Sequence, residues 1–506
     1  MRGDAQRGAA HRGAVVLAIM LPRIMQGLDT TIANVALPHM QGSLSASQSE
    51  IAWVLTSYIV AAAIMMPLTG WLAGRLGIRY VYLASVVGFT LASALCGSAT
   101  NLGQLVFYRA LQGISGAGLI PLSQAVLLQI YPVERHGQAM AIAGMGSIVG
   151  PITGPVLGGW LTDNYSWRWI FYINLPIGVV AAFGILVFLA EMRRTHRENF
   201  DFFGFLSLSF AIGALQMMLD RGQIKGWFGS TEIWVEATIA VLAFYLFVVH
   251  TATTTGPSFF ARDLLQSPNY VVGILLIFFL GVILNGTLAL LPTMLQALMS
   301  YPAVTAGVVT APRAAGTMIA MFMVARLIGR VDTRLLILAG LLITAFSLWE
   351  MSHFDLSMGM EPVVISGFGQ GFGVGCIFVP INTLALSLLP RHILTQGTAI
   401  RSLLRNLGGS LGISALEAEL QVNTETVHSR LVEGLRPDNP LVHTPYLALP
   451  YSLSSTAGVT ALNAEVTRQA AMVAYIDDFH LMMLIVLASL PLLLLVRQRP
   501  LLPQKA

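Results

Sequence analysis

Charge is the scarcest thing in this sequence. Only 10% of its 506 residues are Asp, Glu, Lys or Arg, while 55% are hydrophobic, a balance that excludes an ordinary soluble globular domain. Cysteine is almost missing. Cys96 and Cys376 are the two in the chain; they lie far apart in apolar runs and read as packing residues, not as a disulfide framework or a metal site. No glycine-rich loop closes on Lys-Ser or Lys-Thr, so ATP is not the expected energy source. Metal-ligand clusters and a nucleophile elbow are missing too, which leaves no metal, cofactor or catalytic residue to expect and argues against an enzyme. The net charge of +4 invites a nucleic-acid partner, but the placement of arginine rejects one.

What the chain has instead is a series of long apolar runs. A bilayer core about 30 Å thick takes roughly 20 apolar residues per helix. At that width about fourteen spans are legible, at 14–37, 51–71, 80–99, 102–129, 138–161, 167–190, 202–220, 232–250, 270–291, 303–325, 335–352, 362–387, 398–416 and 479–496. Their length and continuity predict helices, not a barrel. The first run follows Arg2, Arg7 and Arg12, but it is too long for a signal peptide and lacks a small-residue cleavage site, so it is expected to remain as the first helix. With the N-terminus in the cytoplasm, arginine falls on one side. Arg75, Arg79, Arg135, Arg193, Arg194, Arg197, Arg262, Arg326, Arg330, Arg334, Arg391, Arg497 and Arg499 take inward loops, whereas the outward loops after spans 1, 3, 9 and 11 have no Lys or Arg. That is the positive-inside pattern of a multi-pass protein with both termini cytoplasmic.

The chain also repeats itself at an offset of about 255 residues. Gln112-Gly113, Pro121, Gln124 and Tyr131-Pro132 of span 4 return in span 12 as Gln370-Gly371, Pro380, Asn382 and Leu389-Pro390. The loop with Arg75, Gly77 and Arg79 returns as Arg326, Gly329 and Arg330, and Asp29 and Pro38 correspond to Asn285 and Pro292. A shift of eight spans means two six-helix halves separated by an inserted pair. Both halves start from the same side, so the repeat is parallel, with its axis along the membrane normal and a substrate path between the halves. The organisation expected is a cytoplasmic tail at 1–13, an N-terminal half at 14–200, an inserted pair at 201–250, a cytoplasmic linker at 251–269, and a C-terminal half at 270–506 that includes an outward loop at 417–478.

Within the spans a few polar residues stand out. Asp29 is the single acid in the apolar stretch from Ala14 to Leu37. A carboxylate at bilayer depth costs a few kcal/mol or more, so it must face a cavity, a partner or a proton, which points to ion coupling. Arg109, in span 4, reads either as a snorkelling arginine near the outer interface or as a fixed charge that tunes a nearby acid's hold on its proton. In span 5, Gly146, Gly150, Gly154 and Gly158 form one smooth face, and Pro151 and Pro155 bend the helix. The face serves either static close packing or a hinge that opens and closes the path. Arg75, Gly77 and Arg79 are topology anchors, or latches onto helix ends of the other half. Gln124, Asn285, Asn382 and Arg405 are candidate pathway residues. Arg405, near Arg401 and just before Gly408, Gly409 and Gly412, reads equally as part of a structural ion pair, and Arg313 in span 10 has no account. His39, His250, His353 and His480 sit near span ends, where interfacial histidine is the default.

These residues resemble a known family. Leu28 to Pro38 looks like the first-helix signature of fourteen-span drug:proton antiporters of the major facilitator superfamily. The stripe at 146–159 resembles that superfamily's antiporter motif, Arg109 to Gly118 its fourth-helix proton-coupling motif, and Gly70 to Arg79 its inner loop. The segments Tyr165 to Gly178 and Leu215 to Gly222 are similar to the EmrB branch. The resemblance implies an all-α polytopic protein of the bacterial inner membrane that exports hydrophobic or amphiphilic toxic compounds against protons. It implies coupling roles for Asp29 and Arg109, and partnership with an EmrA-like periplasmic adaptor and a TolC-like outer-membrane channel. One departure stands out: the superfamily pattern has an acid where this chain has Gly74, so a charged latch through that position is in doubt.

The residues from Glu417 to Asp478 are too many for a tight turn and read as a floppy loop or, given the resemblance, as a helical periplasmic cap or adaptor dock. Two other functions compete with drug export. An exporter of one endogenous metabolite or siderophore would share the architecture. A membrane-embedded enzyme acting on lipid-linked substrates would need acids or histidines clustered at one interface, and here the acids are dispersed.

Overall fold

The computed structural model describes residues 2–191, 200–254, 263–386, 389–435, 451 and 455–496. Their regular structure is helical, with one isolated bridge between Ile328 and Val331. The long helices are α1 (Arg2–Ser43), α2 (Trp53–Leu76), α3 (Ile78–Ser98), α4 (Leu102–Ile130), α5 (His136–Asn164), α6 (Trp169–Phe188), α7 (Phe202–Lys225), α8 (Thr231–Thr253), α9 (Pro268–Ala297), α10 (Val304–Leu327), α11 (Thr333–Met351), α12 (Met360–Leu386), α13 (Arg391–Glu433) and α14 (Thr456–Ser489). Among the described residues, 12 helices are long and apolar enough to cross a membrane. Of the two others, α5 is rich in glycine and proline, and α13 carries Arg401, Arg405 and a polar end.

Proline and glycine set the interruptions. Within α4 the helix restarts between Gly116 and Leu119, just where Pro121 cannot donate to the carbonyl of Ala117. Within α10 the same happens at Ala311, the residue before Pro312. The tight turn from α2 to α3 needs a left-handed residue, and Gly77 supplies it at φ 98°; Gly329, after α10, does the same at φ 88°.

The packing follows the repeat. In the first six helices α1 packs on α5 and α6, α2 on α4, and α3 on α4 and α6. In the last six α9 packs on α13 and α14, α10 on α12, and α11 on α12 and α14, which is the same scheme shifted by eight helices. Glycine makes these crossings close. A Cβ on Gly113 would strike the backbone of Tyr58, and one on Gly371 would strike the backbone of Arg313. The two sets meet through α2 with α13 and α5 with α10. Their contacts lie at the end of the bundle where α1 begins: a Cβ on Gly70 would come 2.8 Å from Gln396, and one on Gly137 3.0 Å from Ile328.

The pair α7 and α8 stands beside this core. α7 rests on α2 and α13, with Thr56 donating to Asp220, Gln216 Nε2 to Ser410 Oγ at 2.8 Å, and Ser414 Oγ to the Leu219 carbonyl at 2.6 Å. α8 packs on α7 and turns Trp234, Val241, Leu242, Phe244 and Tyr245 outward, a face suited to lipid tails.

Two sequence boundaries need correction. α13 has 43 residues, about 65 Å at the helical rise and twice a bilayer core, and α14 begins 23 residues before the apolar run at 479. An apolar window finds the buried part of a helix and misses its polar extension. The extensions run side by side, with His428 Nε2 3.1 Å from Asn463 Oδ1. Residues 436–450 and 452–454, with most of the apolar cluster from Leu447 to Leu453, lie outside the described residues, as do Arg193, Arg194, Arg197, Arg262, Arg497 and Arg499.

Replacing Gly371 by Leu is expected to lower the thermal midpoint of the purified protein, since overpacking costs about 1–3 kcal/mol or more. Gly359, where a Cβ would meet nothing within 4 Å, should accept Ala with little change. Equal melting of the Gly371→Leu and wild-type proteins would contradict the close crossing of α10 and α12.

Candidate functional site

At mid-height of α1 the Asp29 side chain is buried, and so is Arg109, which enters from α4. Arg109 Nη1 donates to Asp29 Oδ2 at 2.7 Å. Gln112, one turn along the same face of α4, donates from Nε2 to Asp29 Oδ1 at 2.8 Å. Asn174, on α6, donates from Nδ2 to that oxygen at 3.0 Å and to Ser93 Oγ at 3.0 Å. The arginine is fixed in turn: Nη1 reaches Gln112 Oε1 at 2.7 Å and Nε the Val54 carbonyl at 3.1 Å, while the guanidinium lies 4.4 Å from the Tyr58 ring and 5.7 Å from that of Phe171. Arg109 therefore turns inward, and the snorkelling reading fails. The carboxylate receives three donors from two neighbouring helices.

The glycine stripe of α5 lies against α1. A Cβ at Gly150 would strike the Gly27 backbone, one at Gly154 the Thr31 hydroxyl, and one at Gly158 would sit 3.0 Å from Ile32. Thr31 Oγ1 also donates to the Gly150 carbonyl at 3.3 Å. The stripe brackets the turn of α1 that carries Asp29. Gly146, at its near end, leaves room for Arg23, whose Cδ would lie 3.6 Å from an added Cβ. The side chains of Pro151 and Pro155 lie outside the described residues.

The matching positions of the last six helices explain Arg313. Asn285 stands where Asp29 stands, Gly367 where Arg109 stands, and Arg313 where Tyr58 stands. A Cβ on Gly367 would come 3.9 Å from the Arg313 Cβ, and Arg313 Nη2 donates to the Leu284 carbonyl at 3.0 Å. Gln370, the counterpart of Gln112, donates to Thr287 Oγ1 at 2.8 Å. This second site keeps a buried arginine, supplied by a different helix, but has lost the acid. Asn285 Nδ2 bonds the Gly281 carbonyl at 3.0 Å and packs against Gly409.

A third group of polar residues joins the two sets of helices. Arg401 on α13 donates to Asn382 of α12 and, across the interface, to Gln124 of α4. Arg23 on α1 donates from Nε to Ser147 Oγ at 2.7 Å and from Nη1 to Ser123 Oγ at 3.0 Å. Arg405 is half-buried one turn beyond Arg401. It has no ion pair among the described residues, so the ion-pair reading of Arg405 is set aside. The loop arginines stay within their own set of helices: Arg75 lies 5.2 Å from the Trp71 ring, and Arg79 Nη2 donates to the Leu186 carbonyl at 2.6 Å.

Sequence reasoning missed several of these residues. Gln112 and Asn174 were visible as isolated amides in apolar runs, but nothing in one sequence says that both point at Asp29. Arg23 was visible as a lone cation six residues before Asp29. Asp478 appeared to end a polar loop; it is fully buried inside α14, with neither carboxylate oxygen hydrogen-bonded.

The Major Facilitator Superfamily model matches residues 19–413. The chain is 38% identical over 441 residues to the multidrug export protein EmrB of Escherichia coli K12, covering 86% of this chain and 85% of that one. It is 36% identical over 472 residues to the multidrug export protein EmrB of Haemophilus influenzae, covering 92% of each. Among solved structures it resembles the proton:xylose symporter XylE, with a TM-score of 0.60 at 14% identity over 94% of this chain and 95% of that one.

Arg109→Ala leaves a buried carboxylate without its cation and is expected to destabilise the purified protein by about 3–5 kcal/mol. Adding Asp29→Asn should recover part of that loss, because the neutral amide no longer needs the charge. A double variant no more stable than Arg109→Ala alone would show that the unpaired carboxylate is not the source.

Proposed function

This chain belongs to the Major Facilitator Superfamily, and we propose that it is a permease that expels hydrophobic and amphiphilic toxic compounds in exchange for protons. The observation that carries this reading is the buried Asp29–Arg109 pair, closed in by Gln112 and Asn174. With the pair intact, Asp29 holds no proton. A proton arriving at Asp29 neutralises it, frees Arg109 and loosens α1 from α4 and α6. Substrate binding drives the pair together again and expels the proton. An unpaired carboxylate in this setting must be neutralised, which makes the two states distinct. The glycine stripe lets α1 shift against α5 without side chains that interlock.

In this reading the two moving bodies are residues 14–200 and 270–506, with 201–250 inserted beside them and 1–13 and 251–269 in the cytoplasm. The membrane is the bacterial inner membrane and both termini are cytoplasmic, as the arginine distribution indicates. The projecting ends of α13 and α14 then face the periplasm. They form the docking surface for an EmrA-like adaptor that leads to a TolC-like channel.

Asp29→Asn preserves shape and hydrogen bonding but cannot titrate. Reconstituted in liposomes, this variant should lose substrate uptake driven by a pH gradient while keeping its fold; undiminished proton-driven uptake would sink the assignment.

The docking surface has its own test. Single cysteines at Ser429 and Thr460, both exposed on the projecting helices, should react with a membrane-impermeant thiol reagent on intact spheroplasts, since the native Cys96 and Cys376 are buried. Co-expressed adaptor should protect at least one. Labelling only after the membrane is broken would reverse the topology, and labelling indifferent to the adaptor would remove the docking role.

A further inference from the structure

Three arginines converge where the two sets of helices meet, and none has an acid. Arg23 and Arg401 are almost fully buried. They hold consecutive residues of α4, Ser123 and Gln124, which places both guanidinium groups on one turn of that helix. Arg405 follows Arg401 by one turn on the same face of α13. Among the described residues no carboxylate pairs with any of them. Charges at this depth are ordinarily paired, or they mark a ligand path.

Apart from Gln26 Oε1, one turn along α1 from Arg23, the unused hydrogen-bonding capacity here is on donors. Arg23 Nη2, Arg401 Nε and Gln124 Nε2 are buried without a partner, and the Arg405 guanidinium makes no hydrogen bond among the described residues. All of these atoms are donors. The missing member is an acceptor with negative charge.

We propose that Arg23, Arg401 and Arg405, with Gln124, form the receptor for the anionic headgroup of an amphiphilic substrate, of which a single-chain organic carboxylate is the simplest case. The proposal rests on the export reading given above and names its substrate class. Charge-assisted bonds from a guanidinium to a carboxylate are among the stronger polar contacts, and several can converge on one group. The site also communicates with the proton site through a single rigid element. Arg23 and Asp29 lie six residues apart on α1, about 9 Å along its axis, and the stripe of α5 touches both turns. A headgroup that draws Arg23 toward α13 therefore moves the helix that carries Asp29.

Arg405 is the residue to change, because its guanidinium makes no hydrogen bond or ion pair among the described residues. Binding to the full chain in nanodiscs is measured with three probes of equal tail length: dodecanoate, dodecanol and dodecyltrimethylammonium. The wild type should bind dodecanoate in preference to the other two. Arg405→Gln should weaken dodecanoate by about tenfold or more, leave dodecanol unchanged, and melt like the wild type, while Arg405→Lys should restore part of the affinity. Equal dodecanoate affinity in Arg405→Gln, or a wild-type preference for the cation, would overturn the proposal. Inorganic phosphate should not compete; competition by phosphate would make the site one for small anions. Displacement of dodecanoate by phosphatidylglycerol in the disc would make it a lipid site. Either result would overturn the substrate role. Proton-driven uptake of the cationic probe without Arg405-dependent binding of dodecanoate would leave the export reading standing and remove this one. Arg405-dependent binding without any proton-driven uptake would do the reverse.

Discussion

A carboxylate at mid-membrane has to be held, and the arrangement around Asp29 follows from that need. Arg109 and Gln112 reach it from α4 and Asn174 from α6, while α2 offers a carbonyl and an aromatic face to the arginine. Each partner comes from a different turn or helix, so the pair survives only while α1, α2, α4 and α6 keep their relative positions. That dependence runs both ways. If the charge on Asp29 is removed, the charged contact that ties α1 to α4 is removed with it.

The repeat sharpens this account. The same backbone crossings recur in both six-helix sets, down to a glycine against Tyr58 in one and against Arg313 in the other. The chemistry does not recur. Asn285 replaces the acid and Gly367 the arginine, while Arg313 fills the vacated space from another helix. One set retains a buried acid–arginine pair and the other a buried arginine alone. Arg401 bonds across the interface to Gln124 and so ties the two sets together.

The fold was largely readable before any coordinates. Span positions, the shift by eight and the inserted pair follow from hydropathy and from recurrent glycine and proline, and the cost of charge in lipid singles out Asp29 and Arg109 as residues that need partners. Helix ends were less legible: α13 and α14 outrun their apolar windows, because a helix continues as long as its backbone bonds are satisfied and not only as long as its side chains are greasy. The partners of Asp29 were invisible for another reason. Gln112 and Asn174 are ordinary amides until the crossing of α1 with α4 and α6 is known, and a single sequence has no measure of that crossing. Arg313 could be understood only when Gly367 was seen beside it. Asp478 looked like a loop residue because the polar stretch before it hid the start of α14.

The claim at the centre of this account is that substrate binding and proton release are one event at Asp29. It is tested most directly by adding a transported amphiphile to the purified protein in a lightly buffered solution and recording the pH. The account predicts that the wild type acidifies the solution on binding, and that Asp29→Asn binds the same compound without releasing protons. Equal acidification by both proteins would contradict it.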